Sequence, residues 1–148
     1  FPDDARCNRL LIYGLEGEMF FGASAALERH FERIEQRIDG HTRVVILRLK
    51  RARNADAAGM IMLKEFVDRV RARAVDVILC GVRADLAQRL ETTRLSDRTG
   101  ATIFREERVP LTSTILAIRH ANQLIGDHCA TCPRRGSGEG NPALRYVF

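Results

Sequence analysis

Apolar positions along the chain follow two alternating periods. Leu27, Phe31, Ile34 and Ile38 recur at steps of four, three and four, which places them on one face of an amphipathic helix. Ser24 precedes that run as a candidate N-cap, and Asp39-Gly40 follows as a stop. Met60, Leu63, Val67 and Val70 repeat the pattern behind Asp56, a second candidate N-cap. Leu86 and Leu90 mark a shorter helix from about Ala84 to Thr93. Leu111, Ile115, Ile118, Asn122 and Ile125 line a last one, opened by Pro110 at the first helical position and ended by Gly126. Between the helices lie near-continuous apolar runs, Val44–Leu49 and Val75–Cys80, of the kind buried on both faces of a sheet. Ala101–Phe104 is a shorter strand. Arg9–Leu15 opens the chain as a strand, Glu16-Gly17-Glu18 reads as a turn, and Met19-Phe20-Phe21 reads as a second strand completing a hairpin closed by Gly22. Lys50 to Ala55 reads as a loop.

Strands alternating with helices imply βαβ crossovers and an α/β fold. The opening hairpin makes the expected sheet mixed but mostly parallel, with four to five strands and about four amphipathic helices. Residues 1–126 form the expected domain. Residues 127–148 change character, carrying Pro133, Gly136, Gly138, Gly140 and Pro142 with little periodicity, and read as a C-terminal tail or extension. No internal repeat is present.

Composition narrows the class. The chain has 148 residues, 45% hydrophobic and 29% charged, enough for a real core without disulfides. No apolar run approaches the roughly 18 residues of a membrane span. A membrane-spanning pore, a collagen, a disordered tail and a disulfide miniprotein are excluded. The N-terminus carries no signal-peptide pattern, and a start at Phe1 rather than Met reads as a piece of a longer chain. The net charge is +5, and all 24 basic residues except Lys50 and Lys64 are arginine. That bias reads as compositional. The charge is too modest and dispersed to argue for nucleic acid, and no aromatic–basic interleaving of a base-stacking surface accompanies it. Cys7, Cys80, Cys129 and Cys132 in this composition read as thiols of a reduced, cytoplasmic protein, Cys80 as a small buried hydrophobe.

Three places could carry chemistry. The first is Arg53-Asn54-Ala55-Asp56-Ala57-Ala58-Gly59-Met60, between a buried strand and a helix. Asp56 can cap the helix, and Gly59 can let its start approach a neighbouring backbone. The second is the basic stretch Arg43, Arg48, Lys50, Arg51 and Arg53. Lys50, Arg51 and Arg53, with Asn54 and the helix start at Ser24, could meet an anionic headgroup, a nucleotide phosphate or an acidic protein at the strand's C-terminal end, or form a solvated basic loop. No Gly-rich phosphate loop supports nucleotide binding. The third is His128-Cys129-Ala130-Thr131-Cys132, where Cys129, Cys132 and His128 could supply three zinc ligands, a disulfide, or neither. A fourth ligand would have to be Cys7. His30, His41 and His120 stand alone in sequence, and no carboxylates are placed as a catalytic pair.

A buried strand followed by a loop, Asp-x-x-Gly and an amphipathic helix resembles the STAS domain, named for sulfate transporters and anti-sigma-factor antagonists. Leu15-Glu16-Gly17-Glu18-Met19-Phe20-Phe21-Gly22-Ala23-Ser24 is similar to the opening segment of STAS domains in SulP anion transporters. Ile78-Leu79-Cys80-Gly81-Val82-Arg83 is similar to the strand and turn after the second helix. The resemblance covers about residues 9–125. The family motif is Asp-Ser-Ser/Thr-Gly; here it reads Asp56-Ala57-Ala58-Gly59. In the antagonist branch its second hydroxyl residue is phosphorylated by a partner kinase. The matching Ala58, like Ala57, has no oxygen to accept a phosphoryl group.

The resemblance, with Phe20-Phe21-Gly22 and the lost hydroxyls, implies a non-catalytic, cytoplasmic regulatory domain of a bacterial SulP-type inner-membrane transporter. It would act through protein contacts: with the parent's membrane domain, a second copy in a homodimer, or a separate protein. The alternatives are a nucleotide- or anion-sensing STAS module and an unphosphorylatable antagonist-like signalling protein. No cofactor, metal or nucleic acid is implied.

Overall fold

A computed structural model of the chain describes residues 9–19, 21–92 and 101–126. The elements run β1 (Leu10–Glu18), α1 (Ser24–Arg37), β2 (Val44–Arg53), α2 (Ala57–Ala72), β3 (Asp76–Val82), α3 (Ala84–Thr92), β4 (Thr102–Arg105) and α4 (Thr112–Ile125), with a 3-10 turn at Phe21–Ala23. The strands pair in chain order, β1-β2-β3-β4, and every pair is parallel. Among the described residues this is the expected α/β architecture, with a four-stranded sheet and four helices.

Parallel neighbours need a crossover for each strand, and here α1, α2 and α3 return along one face. Side chains alternate across a strand, so β2 feeds two cores. Val45, Leu47, Leu49 and Ala52 join Leu27, Phe31 and Ile34 of α1, Met60, Leu63, Phe66, Val67 and Val70 of α2, and Leu86 and Leu90 of α3. Phe31 and Phe66 stack at 4.4 Å and 14°. Val44 and Ile46 face the other way, with Leu10, Ile78 and Cys80, against Ala117, Ile118, Ala121 and Ile125 of α4.

Five local expectations are corrected. The hairpin is not formed among the described residues: Glu16-Gly17-Glu18 continues β1 instead of turning it, Met19 lies beyond the strand, and Phe21 enters the 3-10 turn. Gly17 takes φ +106 within the strand, a conformation glycine adopts without penalty. Lys50 to Arg53 are strand, not loop. The ladder absorbs them through a bulge, since β1 advances from Gly14 to Glu16 while β2 advances from Arg48 to Arg51. Ser24 is the first helical residue of α1; its capping position is Ala23, which makes no side-chain cap. Pro110 lies in a turn before α4, whose cap is Leu111 at φ +68. The buried face of α4 is Ser113, Thr114, Ala117, Ile118, Ala121 and Ile125, rotated from the expected one; Leu111 is exposed and Ile115 and Asn122 are half-buried.

Candidate functional site

The β2–α2 junction is built around the end of β1. Met19 donates its N–H to the Arg53 carbonyl at 2.8 Å and accepts from the Asp56 N–H at 3.1 Å. Asn54 turns the chain with φ +52, a left-handed conformation Asn tolerates. The Asp56 carboxylate then accepts from the Gly59 N–H at 2.8 Å, capping α2 as expected. Gly59 is required for a different reason: a Cβ there would lie 2.0 Å from the Met19 carbonyl oxygen and 2.7 Å from its carbon. Asp56 and Gly59 thus fasten the start of α2 to β1. Ala57 is exposed and Ala58 half-buried, and Ile61, one turn on from Ala57, is 55% exposed. Beside the exposed Arg53 and Asn54, the first turns of α2 show Ala57 and Ile61 to solvent, with no nucleophilic oxygen at either alanine.

The expected anion-binding set is not gathered at one point. Arg51 pairs with Glu16 of β1 at 2.8 Å, whereas Lys50 pairs with Glu106, just past β4, at 3.2 Å, toward the opposite edge of the sheet. Arg51 and Arg53 share a depression of about 480 Å³ with Glu16 and Gly17; Asn54 and Ser24 do not line it. The bulge explains the separation, because it places consecutive cations beside different strands.

Lys50 belongs to a polar cluster that sequence reasoning missed. Ser113, buried at the start of α4, accepts from the Gly81 N–H at 3.1 Å and donates to Glu106 at 3.4 Å. Gly81 has φ +65, and a Cβ on it would meet the Lys50 Cβ and N at 3.1 Å. The hydroxyl run Thr112-Ser113-Thr114 was the available clue. The cluster ties α4 to β2, β3 and the end of β4. Beside it the Cys80 thiol is pushed up to about 11, chiefly by burial. It stays protonated at neutral pH, in keeping with a structural rather than reactive cysteine.

A groove of about 420 Å³ lies between the C-terminal half of β1 and α1. It is lined by Leu15, Gly17, Ala23, Ala26 and Leu27 together with Glu16, Arg29, His30 and Arg33. The Nε2 of His30 is buried without a hydrogen-bond partner among the described residues. Burial, and then the charge of Arg33, hold this imidazole below its ordinary value. His41 lies in an exposed turn, and His120 approaches Thr102 Oγ1 at 3.4 Å. Cys7, His128, Cys129 and Cys132 lie outside the described residues, among which no group of three metal-ligating side chains occurs. No helix among the described residues is long and apolar enough to cross a membrane.

Comparison with known proteins agrees with this architecture. The STAS domain family model matches residues 2–108, and the chain belongs to that family. A sulfate transporter family protein from Wolinella succinogenes has a similar structure, with TM-score 0.61 and 25% identity over 78% of this chain and 87% of that one. The STAS domain of a SulP transporter from Vibrio cholerae is also similar, with TM-score 0.58 and 26% identity over 78% and 88% of the two chains. No curated protein matches. The chain is thus a STAS domain similar to those of SulP transporters.

Proposed function

We propose that this STAS domain is a non-catalytic regulatory module of a SulP-type anion transporter, held on the cytoplasmic side of the inner membrane and acting through protein contacts. Residues 1–126 are the module and 127–148 its extension. The membrane domain of the parent transporter is the leading partner; a second copy and a separate protein are the other two. The observation that carries the reading is the β2–α2 junction. Asp56 and Gly59 hold the helix start against Met19, so their side of the motif serves the fold. Among the residues left outward, Ala57 and Ile61 offer apolar contact and no phosphoryl acceptor beside the polar Arg53 and Asn54. An interface needs buried apolar contact more than reactive groups.

Two experiments test this. The reading frame upstream of Phe1 is expected to encode a series of hydrophobic spans of about 20 residues each; a frame without them removes the transporter reading. A photo-crosslinker replacing Ala57 in the full parent protein is expected to link the module to membrane-embedded segments, a second copy or a distinct protein. Absence of any crosslink contradicts a contact role for this surface.

A further inference from the structure

The charges of α1 are sorted by flank. Arg29, Arg33 and Arg37 follow at intervals of four, and all three are exposed. This spacing forms one row along a helix, spanning about 12 Å. Glu28, Glu32 and Glu35 run along the neighbouring stripe toward α2, where Glu35 accepts two hydrogen bonds from Arg69 at 3.0 and 2.7 Å. Among the described residues, the ion pairs elsewhere engage Lys50, Arg51, Lys64, Arg69, Arg83 and Arg105, but none engages the arginine row. The row borders the groove, whose polar lining is Glu16, Arg29, His30 and Arg33.

We propose that this outer flank of α1 docks the domain on an anionic phospholipid surface. The partner is chosen by what the flank has and lacks. Three guanidiniums that form no ion pair among the described residues make a positive edge, and an anionic headgroup layer is drawn to it by charge. The exposed large hydrophobics among the described residues are Ile61, Val109, Leu111 and Leu124. None lies on α1, so the flank offers no apolar anchor for a folded protein partner. Charge without an anchor fits a membrane surface, where each basic residue multiplies adsorption by roughly fivefold. The groove places Arg29 and Arg33 beside one headgroup phosphate, with the Glu16 carboxylate also in its lining. The inference deepens the transporter reading by giving the tethered domain an orientation. Vesicles contain no transporter, so failure here leaves the crosslinking test above intact.

The test is sedimentation of the 148-residue chain with vesicles of phosphatidylcholine alone, or with about one third phosphatidylglycerol. Binding is expected only to the anionic vesicles, falling steeply between about 50 and about 300 mM salt. Replacing Arg29, Arg33 and Arg37 together by Gln should lower partition on the order of a hundredfold. The matching Lys triple should retain most of it. A charge-matched control at Arg105, Arg108 and Arg119, on β4, the turn after it and α4, should change it far less. Circular dichroism melts verify folding, and the Lys triple keeps the test valid if the Gln triple does not fold. Equal loss in both Gln triples, equal binding to neutral vesicles, or no binding at low salt overturns the proposal. Binding to inorganic phosphate or to an acidic peptide, with none to vesicles, also overturns it.

Discussion

The two faces of the sheet are held by different means. The face under α1, α2 and α3 is closed by large side chains that interdigitate, with Phe31 stacked on Phe66 at its centre. The face under α4 is closed by a thin layer, in which Ala117 and Ala121 let the helix come close and buried Ser113 bonds the sheet backbone at Gly81. In the first, interdigitated side chains fix each helix on the sheet by shape. The second is pinned at its polar end, where one hydroxyl bridges Gly81 and Glu106.

The contrast predicts an order of effects. Phe66→Ala, which empties the centre of the thick face, should destabilise by about 3–5 kcal/mol, read from a urea transition. Ala117→Leu should cost about 1–3 kcal/mol, because the thin face has no room for added methylenes. If this variant is neutral, the close approach of α4 is not a packing requirement. Ser113→Ala should cost about 1–3 kcal/mol by leaving the Gly81 N–H unpaired, and faster amide exchange at Gly81 is its signature. His30 gives the smallest effect, at the rim of the thick face. Its folded value lies below 6.5, so it contributes nothing above that pH, where both states are neutral. As pH falls through 6.5 the unfolded chain takes the proton first and stability declines. His30→Leu should therefore flatten the decline in melting temperature between about pH 7 and pH 5. An unchanged slope would show that the imidazole is not held neutral by its burial.

The same contrast explains what the sequence made legible. The thick face was readable because Leu27, Phe31, Ile34, Ile38, Met60, Leu63, Val67 and Val70 are large and periodic, and all are buried. The thin face was misread because Ser113, Ala117 and Ala121 carry burial without hydrophobicity, while Leu111 and Ile115 carry hydrophobicity without full burial. The cap at Asp56 was legible from residue type. The partner of Gly59 was not, since nothing local says that Met19, 40 positions earlier, supplies the backbone it must clear. The end of β2 was misread for a related reason. Lys50, Arg51 and Arg53 look like loop, but β1 provides a ladder for them and the bulge divides them between neighbouring strands. Charge composition shows how many cations are present, and pairing decides where each can act.

The central claim is that the Asp56–Gly59 motif serves the fold while the surface beside it serves contact. The direct measurement places the photo-crosslinker at Ala57 in the parent protein and adds Ile61→Asp. The account predicts an unchanged melting temperature for the domain, since Ile61 is 55% exposed and exposed substitutions stay within about 0.5 kcal/mol, together with loss of the crosslink. A crosslink that survives Ile61→Asp, or a domain that unfolds because of it, contradicts the account.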